Sequence, residues 1–500
     1  MTPEAPDPGS LRAIGIRGSL WTLGGHAASQ VVRFASNLVL ARLLFPAVFG
    51  QVALIYTFIT ALHLFSDLGT GPSIIQNRRG DDPAFLRTAW TVSVIRGFVL
   101  WAASWLVAIP AANFYGQPSL RWLIPVAAIS AALGGFESTS ISLARRHLRL
   151  ERLTVLEIGS QVAGTVTTIA LALLNRARFG PDDPGAVWAV VGGGLAIEVT
   201  RVVLSHVYLP GIRHRFELDR DALDSLFRFG RWILVSTVLT FLAGPADRLV
   251  FGKLVSLAML GVYGIASNLA AIPTDAALKI GAAVVFPTFS RIVGRPDFRS
   301  VFPRVRMPLV LGGALLVSGL AAVGPFATAI LYDARYRDAG WIVQILAAMS
   351  WFRILENTNG SLLLATGRSD WMAAGNGLKL AGMFAFIPGG FLILGFAGAL
   401  WGLVLAEVLR YLVSAIAIRR TGLHVLARDA TLTVGVVLVA LAGYLAGSLT
   451  RNWSGSRVLA FLAAGIPPII AWGVIGLRYW SKRSLDVFRA AAPQQERRVD

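Results

Sequence analysis

Apolar blocks of about twenty residues follow one another along nearly the whole chain, separated by short polar loops. Fourteen blocks have the length and hydropathy of membrane-crossing segments. They are 18–43, 47–68, 86–112, 120–144, 153–174, 185–209, 229–251, 257–281, 306–331, 340–365, 371–394, 396–418, 429–449 and 456–478. A helix of ~20 residues spans the ~30 Å hydrocarbon layer. Backbone groups in lipid must pair within their own segment, so each block is expected to be a helix. The predicted fold class is an all-α integral membrane protein with about 14 transmembrane helices. No loop exceeds about 25 residues, which leaves no room for a large extramembrane catalytic or nucleotide-binding domain. The first block is long and lacks a small-residue cleavage site, so it reads as a retained helix and not as a signal peptide.

Composition sharpens this. The 500 residues are 55% hydrophobic, with mean hydropathy +0.64. The net charge of +19 suggests nucleic acid at first sight, but the basic residues sit mainly in the short loops. With the N-terminus in the cytoplasm, about 29 Lys and Arg fall inside and about nine outside. That bias sets topology and predicts cytoplasmic N- and C-termini, with no nucleic-acid partner. There is no cysteine, and the six histidines form no HExxH, so neither a metal nor a cofactor is expected.

The chain carries an internal repeat. At a shift of 211 residues, Trp21 falls on Trp232. The run Arg42-Leu43 to Gly50 falls on Lys253-Leu254 to Gly261. A shift of six helices is even, so the copies keep one orientation. Two parallel-repeat six-helix bundles, plus two extra C-terminal helices, are the expected architecture. The boundaries drawn are a cytoplasmic segment at 1–17, a first bundle at 18–209, an interfacial linker at 210–228, a second bundle at 229–418, two helices at 429–478 and a cytoplasmic tail at 479–500. Within 213–231, apolar residues at helical spacing (Phe216, Leu223, Leu226, Phe227) predict a segment lying along the interface.

Polar residues kept at membrane depth are the candidates for function. His26, Gln30, Arg33 and Asn37 lie on one helical face, as do Tyr56, Thr60, His63 and Asp67, and Glu157, Gln161 and Thr168. Such stripes line a wet interior or join helices to one another. Expected lumen-lining groups are His26, Gln30, Asn37, Thr60, His63 and Gln161. Besides Arg201, which has Glu198 three residues before it, the intramembrane cations are Arg33, Arg96, Arg248, Lys279, Arg353, Lys379 and Arg410. Guanidinium binds phosphate oxygens bidentately, so these are candidates to bind an anionic substrate. Asp247, Asp275 and Glu407 are candidates for ion coupling. Pro273 and Pro388 predict helix bends.

Specific stretches resemble the Wzx-type polysaccharide flippases. One is Asn37-Leu38-Val39-Leu40-Ala41-Arg42-Leu43-Leu44, then Pro46, Phe49-Gly50, Asp67-Leu68-Gly69 and Ile74-Ile75-Gln76. Another runs from Ala246 to Leu254, followed by Leu260-Gly261-Val262-Tyr263 and Phe286-Pro287. The resemblance covers the first eight spans and extends beyond them only as hydrophobic pattern. It implies a member of the multidrug/oligosaccharidyl-lipid/polysaccharide exporter superfamily, in the bacterial inner membrane. The implied substrate is an undecaprenyl-diphosphate-linked oligosaccharide, moved from the cytoplasmic to the periplasmic leaflet for surface polysaccharide biosynthesis. It also implies contact with membrane lipids and partners such as a polysaccharide polymerase and a chain-length regulator. No set of binding residues carries over by motif. The rival readings are a cation-coupled multidrug exporter on the same scaffold, which should favour acids over this basic excess, and an enzymatic or non-transporting component of polysaccharide assembly.

Overall fold

The computed structural model describes residues 8–66, 69–181, 183–244 and 246–481. Asp67, Leu68 and the tail beyond Ser481 lie outside the described residues, as do the side chains of Trp21, His26 and Trp232. The described secondary structure is helical throughout. In chain order the α-helices are α1 (Pro8–Leu43), α2 (Pro46–Leu64), α3 (Thr70–Gln76), α4 (Pro83–Tyr115), α5 (Leu120–Ala127), α6 (Ile129–Gly135), α7 (Ser140–Arg146), α8 (Leu150–Phe179) and α9 (Val187–Val207). They continue as α10 (Arg220–Ala243), α11 (Ala246–Leu254), α12 (Leu257–Ile280), α13 (Phe286–Ile292), α14 (Phe298–Leu331), α15 (Ala339–Ala365), α16 (Ser369–Arg419), α17 (Leu426–Ser454) and α18 (Arg457–Ser481). Among the described residues, nine helices are long and apolar enough to cross a membrane, or ten with the bent pair α5–α6 and α7 taken as one span. The protein is therefore a multi-pass membrane protein. Among the described residues, each expected span overlaps a helix, with the span at 120–144 broken between α6 and α7; those over α1, α10 and α15 are not among the nine.

The chain divides into two compact units, residues 1–261 and 262–500. In the first, α8 packs against α1 and α9, and α4 against α5 and α6. Glycine sets the close approaches. A Cβ on Gly50 would collide with the Leu257 carbonyl, and one on Gly261 with the Pro46 carbonyl. Gly261 and Leu257 are the 211-residue repeats of Gly50 and Pro46. The two copies thus meet reciprocally, as a quasi-two-fold contact requires.

The stretch 210–219 is not helical. Its polar groups are tied to the start of α4. The Glu217 N–H donates to Thr91 Oγ1 (3.1 Å) and the Asp219 N–H to Thr88 Oγ1 (3.0 Å). Arg87 pairs with Glu217 at 3.0 Å, and Arg79 with Asp219 at 3.3 Å. The helix that follows starts at Arg220 and buries Ala222 and Leu226 while leaving Phe227 exposed; Phe216, in the stretch before it, is exposed too. These backbone bonds favour a strap over the continuous amphipathic helix that the apolar spacing predicts.

In the second unit, α14 packs against α15, α17 and α18, and α15 against α16. Backbone angles at Leu394 and Gly395 (φ 60°) break α16 into two arms. The arms return on each other through small residues. A Cβ on Gly390 would strike the Gly398 carbonyl, and one on Gly402 the Phe386 carbonyl. A Cβ on Gly382 would lie 3.2 Å from Leu409 and 3.4 Å from Ala406. The break therefore comes after Pro388, at the glycine that alone tolerates this φ. Likewise α12 runs through Pro273, and its irregular turn is the π-helical Gly281–Val285.

Candidate functional site

Two polar centres sit at membrane depth, one in each unit. The first is a 390 Å³ cavity. Its wall includes His63 of α2, Arg96 of α4, Glu157 of α8, and Glu198 and Arg201 of α9, with Glu137 and Arg145. Arg201 lies between two carboxylates, with Nε 3.4 Å from Glu137 and Nη1 3.7 Å from Glu198. Arg145 approaches Glu157 at 3.7 Å. Three arginines face three glutamates, so the wall is charged but balanced. Hydroxyls of Ser93, Ser130, Thr139 and Ser142 complete it. Such a lining suits a hydrated polyol, which accepts and donates hydrogen bonds without carrying net charge.

The predicted residues of this unit separate. His63 and Arg96 line the cavity. Gln161 joins helices instead: its Nε2 donates to the Ser29 carbonyl (3.1 Å), and Ser29 Oγ donates to its Oε1 (2.5 Å), tying α8 to α1. Thr60 donates to the Tyr56 carbonyl on its own helix (2.7 Å). Arg33 is exposed on α1, with Gln30 and Asn37 half-buried on the same helix. Asp247 is buried and accepts from the Arg248 N–H at 2.8 Å; the Arg248 side chain is half-buried. Glu137 and Arg145, which are not among the expected site residues, reach the wall through the bend between α6 and α7, which helical spacing does not reveal.

The second centre is an ion network in α15 and α16. Glu407 is fully buried and meets three cations: Lys379 Nζ at 2.8 Å, Arg410 Nη1 at 3.1 Å and Arg353 Nε at 3.3 Å. Arg410 Nη2 also meets Glu356 at 2.9 Å. Lys379 and Glu407 come from opposite arms of α16, and the glycine contacts between the arms let the short gap close. Among the described residues, three cations stand against two carboxylates in these pairs, a sum of +1. The Lys379 side chain is 2% exposed, whereas Arg353 is 28% and Arg410 21% exposed. The two arginines therefore keep an open edge, while the lysine is spent on Glu407. Around them, Arg410 Nε, Asn357 Nδ2 and Asn376 Oδ1 are buried with no hydrogen-bond partner among the described residues. Buried polar atoms are normally paired, so each of these is an exception to that rule. Asn357 also abuts Gly281, the first residue of the π turn, where its Oδ1 would lie 2.6 Å from a Cβ. Such turns recur at functional sites. Asp275 and Lys279 are half-buried on α12 before that turn.

A third cluster was not foreseen. Arg306 of α14 is 3% exposed and clamps Asp429 of α17 bidentately at 2.6 and 2.7 Å. Tyr411 donates to Asp429 (2.8 Å), and Arg306 Nε donates to Thr358 Oγ1 (2.9 Å). The pairing of Arg306 with a residue 123 positions away has no local signature in the sequence.

Apolar helices of membrane-crossing length with polar and ionic centres among them define the class, an all-helical multi-pass membrane protein. Solved structures share its fold. The inward-closed lipid II flippase MurJ superposes with a TM-score of 0.66 at 12% identity, covering 93% of this chain and 99% of that one. An inward-facing multidrug resistance transporter of the MATE family, of the MOP superfamily, gives 0.60 at 14% identity, over 81% and 95% of the two chains. The profile of the polysaccharide biosynthesis protein family matches residues 39–338, and the chain belongs to that family. Among curated relatives, the lipopolysaccharide biosynthesis protein WzxC of Escherichia coli strain K12 is 24% identical over 81% of both chains. The teichuronic acid biosynthesis protein TuaB of Bacillus subtilis strain 168 is 25% identical over 61% of each, so the match spans under two thirds of that relative. The succinoglycan biosynthesis transport protein ExoT of Rhizobium meliloti strain 1021 is 24% identical over 70% of this chain and 68% of its own.

Proposed function

We propose that this chain is a flippase that turns an undecaprenyl-diphosphate-linked oligosaccharide from the cytoplasmic to the periplasmic leaflet by alternating access. The observation that carries the reading is the buried network with net charge +1, whose open edge is Arg353 and Arg410. A diphosphate is the anion that two partly exposed guanidiniums fit. In this reading Arg33, Arg96, Arg248 and Lys279 are further cations on the path. Lys379 holds Glu407, and Glu407 holds the arginines. A carboxylate already met by three cations is a poor seat for a coupling cation, so coupling falls to Asp247 or Asp275. The hydroxyl- and ion-lined cavity of the first unit takes sugar. The bundle has fourteen crossings with both termini in the cytoplasm of a bacterial inner membrane. There it works beside a polysaccharide polymerase and a chain-length regulator, and it is a transporter and not an enzyme.

With the cytoplasm negative, moving an anion outward is favourable by ~2.3 kcal/mol per charge per 100 mV. The potential therefore favours outward movement of the head by itself, and a cation coupled through Asp247 or Asp275 is the alternative source of energy. A drug exporter on this scaffold would need an acidic cavity for its cationic substrates, and the network here is basic in sum. The deciding experiment is extraction of lipid-linked oligosaccharide from cells depleted of the protein, followed by mass spectrometry. A diphosphate-linked repeat unit should accumulate as surface polysaccharide falls. An unchanged pool with normal polysaccharide would refute the proposal.

A further inference from the structure

A separate basic site lies where α14 and α17 begin. A 250 Å³ pocket opens there, floored by the buried Phe302, Met307 and Leu423. Its rim carries Arg299, His424 and Arg428, all exposed. None of the three forms an ion pair among the described residues, and the neighbouring acids are engaged elsewhere. Asp297 pairs with Arg295 at 3.0 Å and Asp429 with Arg306.

The position of the arginines makes the site unusual. Arg299 stands in the first turn of α14 and Arg428 in the first turn of α17. A helix start is the positive end of the dipole, where a cation is disfavoured and an anion favoured. The acids at these starts, Asp297 at the cap of α14 and Asp429 in the first turn of α17, are already held by Arg295 and Arg306. Two helix starts and two guanidiniums therefore converge on one pocket with no free carboxylate. Each feature favours phosphate by itself, and together they favour it without competition. The loop is shaped for the same end. Gly422 has φ +82°, and a Cβ there would lie 2.6 Å from Arg299 Nη2. Only glycine at this point lets the guanidinium lie against the backbone.

The floor identifies the source of the phosphate. α14 and α17 are both long and apolar enough to cross a membrane, so their first turns sit at headgroup level. A soluble anion has no use for an apolar floor, whereas acyl chains do. We propose that this pocket binds the phosphate of an anionic phospholipid in the leaflet on the Arg-rich side, with the acyl chains against Phe302, Met307 and Leu423. The site is built from α14 and α17, apart from the Arg353 and Arg410 edge, so it stands or falls independently of the transport reading.

The test uses the full chain, purified in neutral detergent and titrated with phosphatidylglycerol, phosphatidylcholine or inorganic phosphate while thermal unfolding is followed. Phosphatidylglycerol should raise the Tm and phosphatidylcholine should not. Arg299→Gln with Arg428→Gln should weaken the phosphatidylglycerol effect about thirtyfold, the loss expected for two basic residues near an anionic headgroup. If the double variant aggregates, Arg428→Gln alone is compared by counting bound phosphatidylglycerol in native mass spectra, where retention should fall. An equal response to both lipids, an undiminished response in the variants, or full reproduction of the effect by inorganic phosphate would each overturn the proposal.

Discussion

At the scale of the residue, charge is made tolerable in this membrane protein by being shared. Glu407 is surrounded by Lys379, Arg353 and Arg410, and removing it would leave three like charges in a medium of low dielectric. Breaking a buried pair from one side typically costs about 3–5 kcal/mol. Glu407→Gln should therefore lower the Tm strongly in detergent, and Lys379→Met added to it should restore part of the loss. A double variant no more stable than the single would show that the two side chains are not coupled. Function should divide differently from stability. Arg353→Ala removes a partly exposed guanidinium while Glu407 keeps two cations. It should cut polysaccharide export while leaving the protein level near normal. Full export by that variant would take Arg353 out of the site.

At the scale of the element, two devices depend on local chemistry. The arms of α16 meet through glycines that leave no space for a side chain, so Gly402→Leu must push the Phe386 backbone away. That separation would move Glu407 from Lys379. The expected result is loss of folded protein or of export, read by gel filtration and polysaccharide yield. A well-folded, fully active Gly402→Leu protein would mean that the close approach of the arms is dispensable.

The strap at 210–219 is a pH-sensitive element. His214 accepts from the Thr139 N–H through Nε2 at 3.2 Å, which requires the neutral ring. Burial first, then His206 and Arg87, push its pKa down from the usual 6.5 to about 4. The nearby Glu217 carboxyl is held below its ordinary range by hydrogen bonds from Arg215 and Arg87. Both depressed values have the same sign. Their stabilisation is full above the unfolded-state pKa of each group and is lost as pH falls through the folded-state value. For His214 the loss begins below about pH 6.5 and is complete near 4. Hydrogen exchange of the Thr139 and Glu217 amides, corrected for intrinsic rates, should accelerate across that window. His214→Gln should remove the part above pH 5, and protection that stays flat with pH in the parent protein would refute the switch.

At the scale of the whole molecule, the last two helices are not an appendage to the second unit. The Arg306–Asp429 clamp, the Trp472 Nε1 bond to Ser318 (3.0 Å) and the Trp351 Nε1 bond to Thr433 (2.8 Å) join α17 and α18 to α14 and α15. Asp429→Asn should destabilise the protein by about 3–5 kcal/mol, because Arg306 is left buried without its counter-charge. A chain ending after Arg420 should fail to give monodisperse protein. If that truncated chain purified as a stable monodisperse species, the clamp would be ornamental to folding.

Hydropathy by itself determined that the chain is helical, where each apolar segment lies and that it is a multi-pass membrane protein. These follow from one-dimensional quantities: a bilayer has a fixed thickness, and its interior forbids unpaired backbone. The repeat could also be seen in sequence, because Gly50 and Gly261 are demanded by backbone contact and so leave a mark at fixed spacing. The partners of the charges could not be seen. Glu407 and Arg410 stand three residues apart, as do Glu198 and Arg201, so a helix alone brings each pair together, and both pairs form. Helical spacing could not reveal that Lys379 is spent on Glu407 or that Arg306 is buried against Asp429. Nor could it show that Gln161 binds α1 instead of lining a lumen. Those outcomes depend on which helices pack side by side and on where α16 turns at Gly395. Only the tertiary structure decides such matters, because a Coulomb or hydrogen-bond energy depends on distance in space, which separation along the chain does not fix.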